Sequence, residues 1–152
     1  MIDLGKILAV DFGKVRLGLA TGHVSARMAF PLMVLKNRGG ELAYLDILNL
    51  CKSNSCGTVL FGLPVDLRRS GSTNQTLELV NKFIDGFKRF LIDSEDPENR
   101  EIGVQVFDES LSSFEASDRH REQIGALGYK KALGLDAYAA QVILQRYFDS
   151  LD

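Results

Sequence analysis

Apolar positions along this chain come in short runs, at strand spacing over about the first quarter and then alternately at helix and strand spacing. Residues 6–11 hold the run Ile7-Leu8-Ala9-Val10 and predict a first strand. Residues 14–22 alternate Val15, Leu17 and Leu19 against Arg16, Gly18 and Ala20, the two-residue period of a half-buried strand. Gly13 between the two runs reads as a hairpin turn. A third strand is predicted over 27–35. Pro31 within it has no N–H to give, which puts it at a sheet edge or at a bulge. From there the pattern turns helical: "GGELAYLDILNLCKS" (39–53) carries Leu42, Leu45, Leu48 and Cys51 as a stripe. "GTVLFG" (57–62) is wholly apolar, as a strand covered on both faces is. A helix follows with Leu77, Val80, Ile84, Phe87 and Leu91 on one side, opened by the capping-box spacing of Ser72 and Gln75. "DSEDPENRE" (93–101) reads as an exposed acidic loop and "IGVQVF" (102–107) as a fifth strand. Ser112 and Glu115 offer a cap for a short helix, and a last helix is predicted from about Asp136 to Tyr147.

The order is β-β-β-α-β-α-β-α-α. An antiparallel meander comes first, then two right-handed β-α crossovers. This predicts an α/β fold with a mixed five-stranded sheet and helices on both faces, the element order of the ribonuclease H-like fold. With 152 residues, one domain spanning 1–152 is expected.

Composition narrows the setting. The chain is 45% hydrophobic and 25% charged, ordinary for a soluble globular protein. The formal net charge of −2 carries none of the basic bias of a typical nucleic-acid binder, so an anionic partner needs a local patch or a metal. Cys51 and Cys56 lack further Cys or nearby His to complete a zinc set, and reduced thiols in a reducing cytosol are the simplest account. The apolar run of "MIDLGKILAVDFG" is too short for a signal peptide or membrane span. A soluble, cytoplasmic protein without membrane contact is expected.

Candidate chemistry sits where strands end, the usual place for ligand sites in open α/β sheets. Asp11 closes the first strand, Asp108 and Glu109 follow the fifth, and Asp136 opens the last helix. Asp136 shares a line with Ala140, Ile143 and Tyr147, whereas the polar line of that helix is Gln141, Gln145 and Asp149. Asp136 is therefore expected to point into the protein, where a lone carboxylate is costly and a divalent cation would relieve it. Oxygen-only donors suit Mg²⁺ or Mn²⁺, and two such ions clamp the attacking and leaving oxygens of a phosphoryl displacement. Plainer roles fit the same residues: an Asx turn at Asp11, a loop cap at Asp108, a solvated Glu109, a helix N-cap or dipole partner at Asp136.

Positive and small residues surround these carboxylates in sequence. Backbone N–H groups at the helix start after "FGLPVDLRRSGSTNQ" (61–75) could hold a phosphate, with Arg68 and Arg69 adding charge. The spacing is not that of a Walker loop, and an ordinary loop with a solvated arginine pair reads equally well. Lys130 and Lys131 suit a nucleic-acid backbone or simply a surface. Arg16, with Gly18 and Ala20 on its own face, has room to lie flat against a phosphate or a carboxylate. A salt bridge to Asp11 is the competing reading. His23 and His120 read as surface or satisfied histidines. Tyr44, Tyr129 and Tyr147 show no stacking pattern for single strands.

Four blocks, "AVDFGKVRLGLA", "LFGLPVD", "VFDESLSS" and "LDAYAAQVILQRYFDS", occur in the order and spacing of the YqgF/RuvX family, and the chain resembles that family over essentially its whole length. The family is described as Holliday junction resolvases and as nucleases that mature the 5′ end of pre-16S ribosomal RNA in bacteria. The resemblance implies a ribonuclease H-like fold and two-metal phosphodiester hydrolysis. Asp11, Glu109 and Asp136 would be the acidic set, with Asp108 beside it. Arg16 and the Gly62-Leu63-Pro64 loop would position the strand. Ser110 stands where the family usually has arginine and Asp66 where asparagine is common. Ser112 and Ser113 replace a threonine pair, and Lys130 and Lys131 are a thinner basic run than usual.

The expected function is thus a Mg²⁺- or Mn²⁺-dependent nuclease acting on a ribosomal RNA precursor. Its alternatives are a Holliday junction resolvase acting on branched DNA and a non-catalytic module binding RNA or a ribosome-assembly partner. Junction resolution requires a homodimer with two sites, whereas an RNA processor can be a monomer. An actin-like or sugar-kinase-like ATPase also opens on D-x-G but needs two lobes and a second phosphate loop, and the sequence shows neither.

Overall fold

A computed structural model describes residues 2–63, 73–108 and 134–151, with the side chains of 73–75 left aside. Five strands form one sheet in the order β3-β2-β1-β4-β5. They are β1 (Asp3–Phe12), β2 (Arg16–His23), β3 (Met28–Lys36), β4 (Cys56–Leu63) and β5 (Gly103–Asp108). The β1–β2 and β2–β3 pairs are antiparallel, and the β1–β4 and β4–β5 pairs are parallel. Four helices are described: α1 (Gly40–Ser53), α2 (Thr73–Ile92), α3 (Pro97–Arg100) and α4 (Leu135–Asp149). No described helix is long and apolar enough to cross a membrane.

Alternation sorts the strand residues between two cores. Leu8, Val10, Leu17, Leu19, Val59 and Phe61 face α1 and α2. Ile7, Ala9, Ala20, Ala29 and Leu60 face α4. The mixed sheet with helices on both faces is as the sequence predicts. So is the third strand, which lies at the edge and is also bulged: Leu19 pairs Met33 but Ala20 pairs Pro31, leaving Leu32 unmatched.

Three expectations are corrected. The second strand starts at Arg16, because the last hairpin pair is Phe12–Leu17. Val15 therefore lies in the turn and is 64% exposed, while Asn37 Nδ2 donates to the Gly13 carbonyl at 2.8 Å. In α1 the buried set is Ala43, Ile47, Leu48 and Cys51, and Leu42 and Leu45 are 51% and 42% exposed. A three-residue step falls about 60° short of a full turn, so the predicted stripe walks off its own face. The acidic loop contains the one-turn α3, with Asp96 as N-cap accepting from the Glu98 N–H at 3.0 Å and Pro97 following it. The predicted caps at Ser72 and at Ser112 with Glu115 lie outside the described residues.

Cys51 and Cys56 are free and buried, and burial holds the Cys56 thiol up at about 11, so both stay protonated. His23 is satisfied: Nε2 pairs with Asp3 at 3.0 Å, and Nδ1 lies 2.8 Å from the Ser25 hydroxyl. Tyr44 packs among Phe83, Phe87 and Phe90. His120 and Tyr129 lie outside the described residues.

Candidate active site

Strands β1, β4 and β5 end at one edge of the sheet, β2 begins there, and α4 starts above it. Asp11 follows Ile7 and Ala9 on the face that α4 covers. Its partner across the β1–β2 ladder is Gly18, and α4 reaches the sheet at that glycine. A Cβ on Gly18 would lie 1.8 Å from the Asp136 carbonyl oxygen and 2.9 Å from the Asp136 Cβ. Only a residue without a side chain admits this approach. Gly18 thus seats the start of α4 on the strand position opposite Asp11. Just before the helix, Gly134 has φ +86, and a Cβ there would meet Val34 at 3.0 Å.

Arg16 belongs to the same corner. Its Nε donates to Asp136 Oδ2 at 2.9 Å, with the two side chains 63% and 34% exposed. The salt bridge considered for Arg16 therefore forms with Asp136. Asp136 shares its side of α4 with the buried Ala140 and Ile143, yet its carboxylate sits at the rim, paired and in reach of water. It is not enclosed alone, as the helical pattern had suggested. The N-cap of α4 is Gly134, so Asp136 is the second helical residue, within the first turn, where its charge suits the helix dipole. Arg16, Val34, Gly134, Leu135 and Asp136 line an open recess of about 370 Å³.

The remaining candidates divide. Asp108 pairs with Leu63, which packs on the α1–α2 core, as does Val104. Strand alternation thus carries Asp108 to the opposite face from Asp11, whereas Phe107 packs on the α4 side. Gly62 is at the same edge but touches Ile143, whose side-chain carbons would lie 2.6–2.9 Å from a Cβ there, so its small size serves helix packing. Glu109, Pro64, Arg68, Arg69, Lys130 and Lys131 lie outside the described residues. Among the described residues no three His, Cys, Asp or Glu side chains gather. Asp11 and Asp136 both carry hard oxygen donors, the donor type that suits Mg²⁺ or Mn²⁺.

Sequence reasoning missed two features. The first is Gly18 as the seat of α4. The second is the line Gln141 and Gln145, which is not a solvated face. Gln145 Oε1 accepts from the Ala29 N–H and its Nε2 donates to the Arg27 carbonyl, at 3.0 and 2.9 Å. Gln141 Nε2 donates to the Ala29 carbonyl at 3.0 Å. The glutamines satisfy edge-strand backbone groups that would otherwise be open to pairing, and their four-residue spacing was the available signal.

A mixed sheet of this order, with carboxylates at the ends of β1 and β5 and at the start of α4, defines a ribonuclease H-like protein of the resolvase and nuclease class. The RuvX family model, described as Holliday junction resolvase, matches residues 5–150, and the chain belongs to that family. Relatives named "Putative pre-16S rRNA nuclease" include one from Methylobacillus flagellatus, 34% identical over 97% of this chain and 92% of its own length. Another, from Chloroflexus aurantiacus, is 32% identical over 95% of this chain and 86% of its own. Among solved structures, T. thermophilus RuvC in complex with a Holliday junction substrate superposes with a TM-score of 0.54 at 14% identity, covering 94% of this chain and 92% of that one. The fowlpox virus Holliday junction resolvase gives 0.53 at 15% identity, with 97% and 99% covered. These two likenesses concern the fold.

Proposed function

We propose that the protein is a divalent-metal-dependent endonuclease that hydrolyses phosphodiester bonds in the 5′ maturation of pre-16S ribosomal RNA. The observation that supports this reading is the seating of Asp136 on Gly18, the ladder partner of Asp11, so that residues 125 positions apart lie at the same corner of the sheet. Asp11, Asp136 and Glu109 are the proposed ligands and catalytic set. Asp108, on the other pleat, supports the end of β5. Mg²⁺ or Mn²⁺, when bound, supplies activation of water and charge stabilisation at the attacked phosphate. Arg16 at the rim offers its guanidinium to a phosphodiester oxygen. Gly62, Pro64, Arg68, Arg69, Lys130 and Lys131 are proposed to hold the strand.

The names of the relatives support an RNA precursor as substrate. The family description supports branched DNA as the second reading, which requires a homodimer, where a monomer serves the first. Purified protein is offered pre-16S RNA, unrelated single-stranded RNA and a four-way DNA junction, each with Mg²⁺, Mn²⁺ or EDTA, beside Asp11→Asn. Metal-dependent cleavage of the precursor that the variant loses supports the proposal. Cleavage of the junction alone moves the assignment to a resolvase. Equal inertness of both proteins on every substrate would leave a binding module.

A further inference from the structure

We propose that Arg16 is a positioning residue that couples metal loading to substrate binding: without nucleic acid it occupies the Asp136 carboxylate, and a substrate phosphate draws it away and frees that carboxylate for a cation. The inference rests on the metal-dependent reading above and adds an order of events to it. Three observations carry it. The pair is close, with Arg16 Nε 2.9 Å from Asp136 Oδ2. It is also exposed, 63% on the arginine side, and exposed ion pairs are weak enough to exchange for a better partner. Finally, both residues line the same open recess, so a phosphodiester entering there meets the guanidinium at the carboxylate it is holding.

The chemistry favours the exchange. A guanidinium presents several N–H donors in a planar fork, and a phosphate can take two of them, whereas the contact with Asp136 uses Nε. The Asp136 backbone is held against Gly18, so its carboxylate can move only by side-chain rotation about that fixed point. Arg16, at the first residue of β2, has the freedom to move. While paired, Asp136 has its charge offset by a neighbour that also repels an incoming cation. Mg²⁺ sites of this kind commonly need substrate oxygens to complete them, and the arginine would make that dependence stricter.

Mn²⁺ binding measured by electron paramagnetic resonance reads this without any turnover. Wild type, Arg16→Gln, Arg16→Lys and Asp136→Asn are titrated with Mn²⁺ alone and with a short single-stranded RNA, corrected for Mn²⁺ bound by the RNA itself. Arg16→Gln should bind Mn²⁺ about fivefold more tightly than wild type in the absence of RNA. Adding RNA should tighten Mn²⁺ binding to wild type and to Arg16→Lys, which keeps the charge, several-fold more than to Arg16→Gln. If wild type binds Mn²⁺, Asp136→Asn weakens it and Arg16→Gln matches wild type, the coupling is refuted while the metal site stands. If no protein binds Mn²⁺ under either condition, both the coupling and the metal-dependent reading fall. Circular dichroism checks that each variant is folded.

Discussion

On the side covered by α1 and α2, the sheet presents Leu8, Val10, Leu17, Leu19 and Phe61, filled in from above by Phe83 and Phe87. On the side covered by α4 it presents Ala9, Gly18, Ala20, Gly22 and Gly62, and three of α4's residues rest against those glycines: Asp136 on Gly18, Phe148 on Gly22 and Ile143 on Gly62. Bulky side chains hold their helices away from the strands, and interlocked aromatic rings set the spacing. Glycine and alanine let α4 come down onto the backbone. The thick face can absorb small shifts without consequence for chemistry, because no candidate ligand is carried by α1 or α2. The thin face cannot, since the height of α4 above β2 is also the position of the Asp136 carboxylate.

Breaking the thick face should affect stability most and chemistry least. Phe87→Ala removes a fully buried ring and should lower unfolding stability by about 3–5 kcal/mol, read by urea denaturation. Cleavage per folded molecule at low temperature should stay near wild type. Breaking the thin face should do the reverse. Gly18→Ala puts a methyl into the Asp136 backbone and should lower stability by only about 1–3 kcal/mol. Because the carboxylate shifts with the helix, activity should fall about a hundredfold. A Gly18→Ala protein with full activity would show that the height of α4 does not matter.

Smaller effects sharpen the same contrast. Gln145→Ala frees the Ala29 N–H and Arg27 carbonyl of the edge strand. It should lower stability by about 1 kcal/mol and raise the tendency to self-associate, visible by light scattering. At the opposite edge, two carboxylates should shape only the acid limb. Asp3 is held below its ordinary 3.8, first by the Gly5 N–H and then by His23. Asp96 is held below 3.8 by the Glu98 N–H and then by Lys52. A carboxylate whose pKa is lowered by folding contributes stability above its unfolded value and loses it as pH falls through the folded one. Stability should therefore fall below about pH 4, and an Asp3→Ala, Asp96→Ala double variant should show a shallower fall.

How much of this was visible in the sequence follows from the range of the interactions. Strand alternation, the Pro31 edge and the carboxylates at strand ends depend on near neighbours, and all could be read directly. The D-x-G-x-x-R-x-G opening could be read as a pattern, but the work of Arg16 and Gly18 depends on α4, more than a hundred residues on. Gly13 makes the turn, Arg16 meets Asp136 and Gly18 seats it. The α1 stripe went astray because three-residue spacing imitates a helical face over one turn and leaves it over three. Gln141 and Gln145 look solvated until the edge strand is laid beside them.

The most direct measurement is a crystal soaked in Mn²⁺ and recorded at the manganese absorption edge. An anomalous peak is expected at the corner that holds Asp11 and Asp136, absent in Asp11→Asn. A clear peak elsewhere in the molecule, or no peak at this corner at saturating Mn²⁺, would contradict it.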